Sequence, residues 1–263
     1  MGAGGGLVSG AVFAIGGHEA KEGERAVLKA VADSLPHRRL AIATVASEVP
    51  DQVFQGYVDA FADLGAGELV HVHVDERGQA ADASAIEGAG GVFFTGGDQL
   101  RITSLLGDTA LERAMLELWE DGGTIAGTSA GASVLSATMI VRGDSRQSSR
   151  IGDLQMAPGL AIVRELVIDQ HFGERGRIGR LVAAVTQNPR LLGLGIDEDT
   201  AIRVDGSTFE VLGTGAVTVL DAARVTSSNV AEGRPESTLT VHDLCGHVLA
   251  AGDRFDIEGR RPL

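Results

Sequence analysis

Short apolar runs alternate with amphipathic segments through the first two thirds of the 263-residue chain, and this alternation restricts the fold more than any other feature. The apolar runs are residues 12–15, 40–45, 68–74, 91–94 and 124–126. Between them, 24–35, 53–64 and 110–120 carry apolar residues three and four apart, the spacing of one helix face. Strand, crossover helix, strand is the pattern of a mostly parallel sheet with its faces covered. A polar stretch rich in Ser and Arg at 143–152 reads as a surface loop. It is followed by a strand at 166–170, a helix at 175–187 ended by Asn188-Pro189, and a strand at 192–196. Beyond Thr200, short alternating runs such as 208–212 and 216–219, separated by glycine, predict an antiparallel C-terminal edge. No long linker and no internal repeat divides the chain, so the expectation is one α/β domain over residues 1–263, with a flexible glycine-rich start at 1–10.

Charge and cysteine content narrow the function classes. With 22 basic against 36 acidic residues the net charge is −14, which repels a nucleic-acid backbone and an anionic membrane surface. Cys245 is the single cysteine, so neither an intrachain disulfide nor a multi-cysteine zinc site can form, and a reducing cytoplasm fits. The first ten residues lack a basic segment, the apolar run at 11–15 is too short for a signal peptide, and no stretch is long enough to span a bilayer. A soluble cytoplasmic protein is expected. The 37 glycines, roughly twice the average 7% share, suggest tight turns and close backbone approaches.

One of those approaches carries chemistry. Gly127-Thr128-Ser129-Ala130-Gly131 is a G-x-S-x-G element. A glycine-rich chain produces such a pattern by chance often enough that its setting must decide its meaning. Here it lies between the strand at 124–126 and a helix starting near Ala130, where a serine is forced into strained dihedrals and projects from the sheet edge as a nucleophile. The Ala130 N–H, at a helix N-terminus, can donate to an oxyanion. A base with a pKa near neutrality is needed, and of seven histidines only His171 ends a buried apolar strand. Asp197-Glu198-Asp199 follows another strand, and one of the three can orient the imidazole. The order Ser, His, acid differs from the Ser, acid, His order of α/β-hydrolases and argues against that fold. The turn Thr95-Gly96-Gly97-Asp98-Gln99 also ends an apolar strand, and Gly97 is the chosen second oxyanion donor, with Gly16-Gly17 a rival of the same form. His71 with His73, and His242 with Cys245 and His247, resemble ligand clusters. A half-exposed strand face explains the first pair and a β-hairpin the second, so no metal or cofactor is expected.

Taken together, Ile15-Gly16-Gly17, Phe94 to Gln99, Gly127 to Ala132, Met156-Ala157-Pro158-Gly159-Leu160, Asp169-Gln170-His171-Phe172, Arg175 to Leu181, Gly195 to Ala201 and Gly252 to Asp256 resemble the cyanophycinases in order and spacing over nearly the whole chain. The resemblance implies a flavodoxin-like sheet similar to class I glutamine amidotransferases. It implies a serine-type exopeptidase releasing β-aspartyl-arginine from cyanophycin, a polyaspartate with arginine on each β-carboxyl, and a homodimer. The family's triad falls on Ser129, His171 and Glu198. Its substrate groove falls on Gln99, Asp169, Gln170, Arg175, Arg177 and Arg180. The arginines suit carboxylates and Asp169 a substrate guanidinium. The chain departs from the family's Gly-Gly-Ala-Glu-Asp-Lys with Gly-Gly-His18-Glu19-Ala20-Lys21, which leaves substrate detail there open. An aspartyl dipeptidase of the same family (peptidase E), an esterase and a non-catalytic binding protein are the alternatives.

Overall fold

A computed structural model of the chain describes residues 9–143 and 149–263. The expected flexible start, as far as residue 8, and the middle of the polar loop at 144–148 lie outside the described residues. Five parallel strands, β1 (Val12–Ile15), β2 (Arg39–Ala43), β3 (Glu68–Val72), β4 (Gly91–Phe94) and β5 (Thr124–Thr128), form the parallel part of the large sheet, with β3 at its edge. Helices α1 (Ala26–Asp33), α2 (Pro50–Phe61), α3 (Gln99–Leu106) and α4 (Ala110–Glu120) connect them, and the single turn α5 (Ala130–Ser133) follows β5. Next come β6 (Thr138–Arg142), β7 (Gln155–Pro158), β8 (Leu166–Gln170), α6 (Ile178–Gln187), β9 (Leu192–Ile196), β10 (Thr200–Asp205), β11 (Thr208–Gly213) and β12 (Val217–Asp221). The chain closes with β13 (Ser227–Ser228), β14 (Val241–His242), β15 (Cys245–Leu249), β16 (Arg254–Asp256) and β17 (Arg261–Pro262).

Strand alternation sorts side chains to the two faces of the large sheet. Phe13, Ile15, Leu40, Ile42 and Phe93 pack on one face against Val27, Leu28 and Val31 of α1 and Tyr57 and Phe61 of α2. Val12, Ala14, Ala41, Val92 and Phe94 pack on the other with Ile102 and Leu106 of α3 and Leu111 and Met115 of α4. Helices on both faces of a mostly parallel sheet give the flavodoxin-like α/β fold. The order is β17-β16-β11-β10-β1-β5-β4-β2-β3, so the antiparallel edge joins beside β1.

The strands at 166–170 and 192–196 stay outside this sheet. They pair parallel as β8 and β9 in a second, four-stranded sheet of order β15-β12-β9-β8. One core, including Ala14, Ile125, Leu135, Ile168 and Leu194, runs from the first sheet to the second. Two helices depart from the sequence pattern. The helix expected at 175–187 starts at Ile178, because the chain turns through Gly176 at φ 59°. The sequence pattern did not reveal α3, of whose eight residues only Ile102 and Leu106 are buried. Its start is fixed by Asp98, whose carboxylate accepts from Leu100 N–H at 2.9 Å. Among the described residues no helix is long and apolar enough to cross a membrane.

Candidate active site

The ends of β1, β4 and β5 bring Gly16-Gly17, Gly96-Gly97 and Ser129 to one edge of the large sheet, where ligands of open α/β sheets gather. Ser129 has φ 53° and ψ −114°, a left-handed strain that a non-glycine residue adopts only when its surroundings enforce it. The two motif glycines supply that enforcement by close approach. A β-carbon on Gly127 would lie 2.1 Å from the Gly131 carbonyl oxygen, and one on Gly131 would lie 2.2 Å from the Phe94 oxygen. Gly96 backs the serine, since a β-carbon there would be 3.3 Å from Ser129 Cβ. Ala130 occupies the first helical position, where an N–H has no intrahelical acceptor. Gly97, at φ 141°, has no room for a side chain, because a β-carbon would meet the Ala46 oxygen at 2.1 Å.

The second sheet delivers the other two groups. His171 follows β8 and Glu198 follows β9, and the parallel pairing of these strands sets the two ends side by side. Ser129 Oγ lies 2.9 Å from His171 Nε2, and His171 Nδ1 donates to Glu198 Oε1 at 2.6 Å. Burial lowers the imidazole pKa, as does the charge of Arg175, while Glu198 pulls it upward. The net direction is down, so the ring is a neutral base at neutral pH. Burial would raise the Glu198 carboxyl, but hydrogen bonds from His18 and His171 outweigh it and hold the group ionised. A hydroxyl, a neutral imidazole and a carboxylate in series can activate the hydroxyl for attack on a carbonyl.

The neighbours of Glu198 face elsewhere, so the choice left open among the three acids resolves geometrically. Asp197 accepts from Gly173 N–H at 2.8 Å and Ala216 N–H at 3.1 Å. Asp199 accepts from Ala20 N–H at 2.8 Å and Thr214 Oγ1 at 3.0 Å. The Gly16-Gly17 turn stitches the site together, and Gly16 N–H is spent on the Thr200 oxygen at 2.9 Å. Gly16 oxygen accepts from His171 N–H at 2.8 Å and Gly17 oxygen from Asp199 N–H at 2.9 Å, while Ser129 N–H donates to Ile15 oxygen at 3.0 Å.

The groove residues do not all line up with a ligand. Asp169 is fully buried and its carboxylate is already taken, by Arg180 Nε at 2.6 Å and Arg177 at 3.3 Å. A carboxylate without solvent must be paired, so the expected capture of a substrate guanidinium by Asp169 is replaced by an internal clamp. Arg177 also donates to Gln170 Oε1 at 2.9 Å. Burial lowers its pKa to about 10 against the opposing pull of Asp169, which still leaves it charged. Gln99 donates from its amide to the Ile140 oxygen at 3.0 Å. Only Arg175 of this set lines the open cleft of about 600 Å3 beside Ser129 and His171.

Sequence reasoning missed the far wall of that cleft. Buried Glu19 accepts from the hydroxyls of Tyr57 at 2.5 Å and Thr128 at 2.6 Å, and the Lys21 ammonium sits 4.1 Å from the Tyr57 ring centroid. The available signals were Glu19 and Lys21 in the Gly-Gly-His18-Glu19-Ala20-Lys21 element and the fact that Tyr57 is the only tyrosine in the chain. Of the discounted clusters, His71 and His73 both contact Thr44 Oγ1, at 2.8 and 3.2 Å, and His71 stacks on Phe54. His242 and Cys245 fall in different sheets, β14 pairing with β13 and β15 with β12, so the expected single hairpin is not formed.

The chain is similar to known peptidases in sequence and in fold. The sequence matches the family model described as Peptidase family S51 over residues 12–212. It is similar to a cyanophycinase of Trichormus variabilis, 37% identical over 260 residues, covering 96% of this chain and 87% of the relative. A cyanophycinase of Geminocystis herdmanii is 38% identical over 229 residues, covering 85% of this chain and 84% of the relative. The fold is similar to the crystal structure of a peptidase from an acI-B1 Actinobacterium, with a TM-score of 0.66 and 24% identity, covering 92% of this chain and 98% of that one. With sequence likeness running through every strand that holds the serine, the histidine and the acid, the chain is a serine peptidase and belongs to peptidase family S51.

Proposed function

We propose that the chain acts as one domain, in a cytoplasmic homodimer, to hydrolyse cyanophycin to β-aspartyl-arginine dipeptides at Ser129. The observation that carries this reading is the unbroken series Ser129 Oγ, His171, Glu198, with contacts of 2.9 and 2.6 Å. Its substrate class comes from relatives that are named cyanophycinase. His171 Nε2 takes the serine proton as Oγ attacks an aspartyl α-carbonyl carbon. The N–H groups of Gly97 and Ala130 hold the oxyanion. Collapse of the tetrahedral intermediate breaks the C–N bond, and His171 returns its proton to the departing amine. Water, deprotonated by the same nitrogen, then attacks the acyl-enzyme and frees the carboxylate. Each polymer unit carries one guanidinium and one carboxylate and is near neutral, so a chain of net charge −14 does not repel it. Arg175 and Lys21 line the cleft and suit the substrate carboxylates, whereas Arg177 and Arg180 support the wall from behind.

Incubation of the pure protein with insoluble cyanophycin, with mass analysis of the soluble fraction, tests the reading. β-Aspartyl-arginine is expected from the wild type, and Ser129→Ala lowers kcat by about 10⁶-fold. An intact polymer alongside cleaved aspartyl dipeptides would reassign the substrate. A Ser129→Ala enzyme that keeps a tenth of the wild-type rate would remove the nucleophile.

A further inference from the structure

Glu198 Oε1 accepts from two imidazoles rather than one. His171 Nδ1 lies 2.6 Å away and His18 Nδ1 2.8 Å away. The two rings stand edge to face with centroids 5.1 Å apart. Ligand-capable atoms of His18, His171 and Glu198 fall within 4.8 Å of one another, the one such group of three among the described residues. Access is through His18, whose side chain is 71% exposed, while that of His171 is only 5% exposed and closes the cluster from beneath. The backbone that presents His18 is pinned on both sides. Gly17 oxygen accepts from Asp199 N–H, and Ala20 N–H donates to Asp199 Oδ1 at 2.8 Å. His18 itself is held at φ 47°.

We propose that His18, His171 and Glu198 form an inhibitory divalent-cation site, best matched to Zn2+, that silences the peptidase. Two imidazoles and one carboxylate are a borderline-soft donor set, and three protein ligands leave a fourth position for water. Tetrahedral bonds of about 2.0–2.2 Å hold ligand atoms about 3.3 Å or more apart, so both short contacts must open by over about half an ångström, which exposed His18 and the 26% exposed Glu198 side chain supply by moving outward from buried His171. Glu198 and the strongly acidic chain favour a cation, and Arg175 in the same cleft opposes it.

Inhibition follows from where the proton sits. In the active arrangement Nδ1 of His171 carries the proton and donates to Glu198, leaving the Nε2 lone pair for Ser129. A metal at Nδ1 takes that lone-pair position, so the one N–H of the neutral ring moves to Nε2. The ring then has no lone pair facing Ser129 and cannot accept its proton. His18 undergoes the same tautomer change. No bond is cleaved and nothing is oxidised, so a chelator reverses the state.

The inference rests on the peptidase reading, and metal binding is therefore measured apart from turnover. Wild type and His18→Ala, each exhaustively treated with EDTA, are titrated with Zn2+ against a chromophoric chelator. Each is also assayed on cyanophycin, with rates expressed relative to that enzyme's own metal-free rate. Wild type is expected to take up one equivalent and to lose about tenfold of its rate at ten times the dissociation constant, with recovery on EDTA addition. His18→Ala loses both the equivalent and the inhibition, and Mg2+, a hard ion, produces neither effect. Equal uptake and equal inhibition in the two enzymes, or no uptake by wild type, overturns the proposal. Uptake that depends on His18 in a protein inert toward the polymer upholds the site and rejects the cyanophycin reading.

Discussion

Gly17 lies directly against the His171 imidazole. A β-carbon on Gly17 would come within 2.4 Å of His171 Cε1 and 2.6 Å of Nε2, and Gly17 φ is 103°, where L side chains are strained. The turn after β1 is thus the floor on which the base rests.

Gly17→Ala should therefore misplace the imidazole by about 1 Å and lower kcat by about 10²-fold. Circular dichroism should show an intact fold. Steady-state kinetics with full kcat would mean that the ring does not lean on this turn.

Glu198→Gln should retain the fold but lower kcat by about 10⁴-fold, because an amide can hold the ring in the wrong tautomer and does not stabilise the imidazolium. A loss below tenfold would assign orientation of the ring to another group.

The acid limb of kcat/KM reports the free-enzyme base. Burial and Arg175 lower the His171 pKa more than Glu198 raises it, so activity should fall only below the ordinary imidazole value of about 6.5. Arg175→Gln removes a positive charge that disfavours imidazolium, so the limb should move to higher pH. A limb that stays put, or moves lower, contradicts the electrostatic assignment.

Asp169→Asn strands two buried guanidinium groups. Loss of one partner of a buried ion pair costs about 3–5 kcal/mol, so thermal unfolding should shift down by several degrees. An unchanged melting temperature would show that Arg177 and Arg180 reach water.

Local features of this molecule were readable from sequence where local sterics create them. The strain at Ser129 and the close approach of Gly127 and Gly131 belong to one turn, so the motif announced them. His171 and Glu198 were marked by apolar strands that stop beside them. Contacts between distant segments left no such mark. Asp169 reads in sequence as a groove acid for a substrate guanidinium, and only folding shows that Arg180, 11 residues on, fills its carboxylate in the core. The Gly16-Gly17 turn has the form of an oxyanion loop, yet its Gly16 N–H is spent on Thr200 and its carbonyls tie down His171 and Asp199. Nothing in the spacing of 166–170 and 192–196 distinguishes a second sheet from an extension of the first, since both present parallel apolar strands.

The hydroxyl hangs from one sheet, while the base and its acid hang from another. A ribosome that has released only the first sheet's parallel strands holds a harmless alcohol, and cleavage power arrives when the later strands dock. For an enzyme that cuts amide bonds, assembly itself is the safety catch.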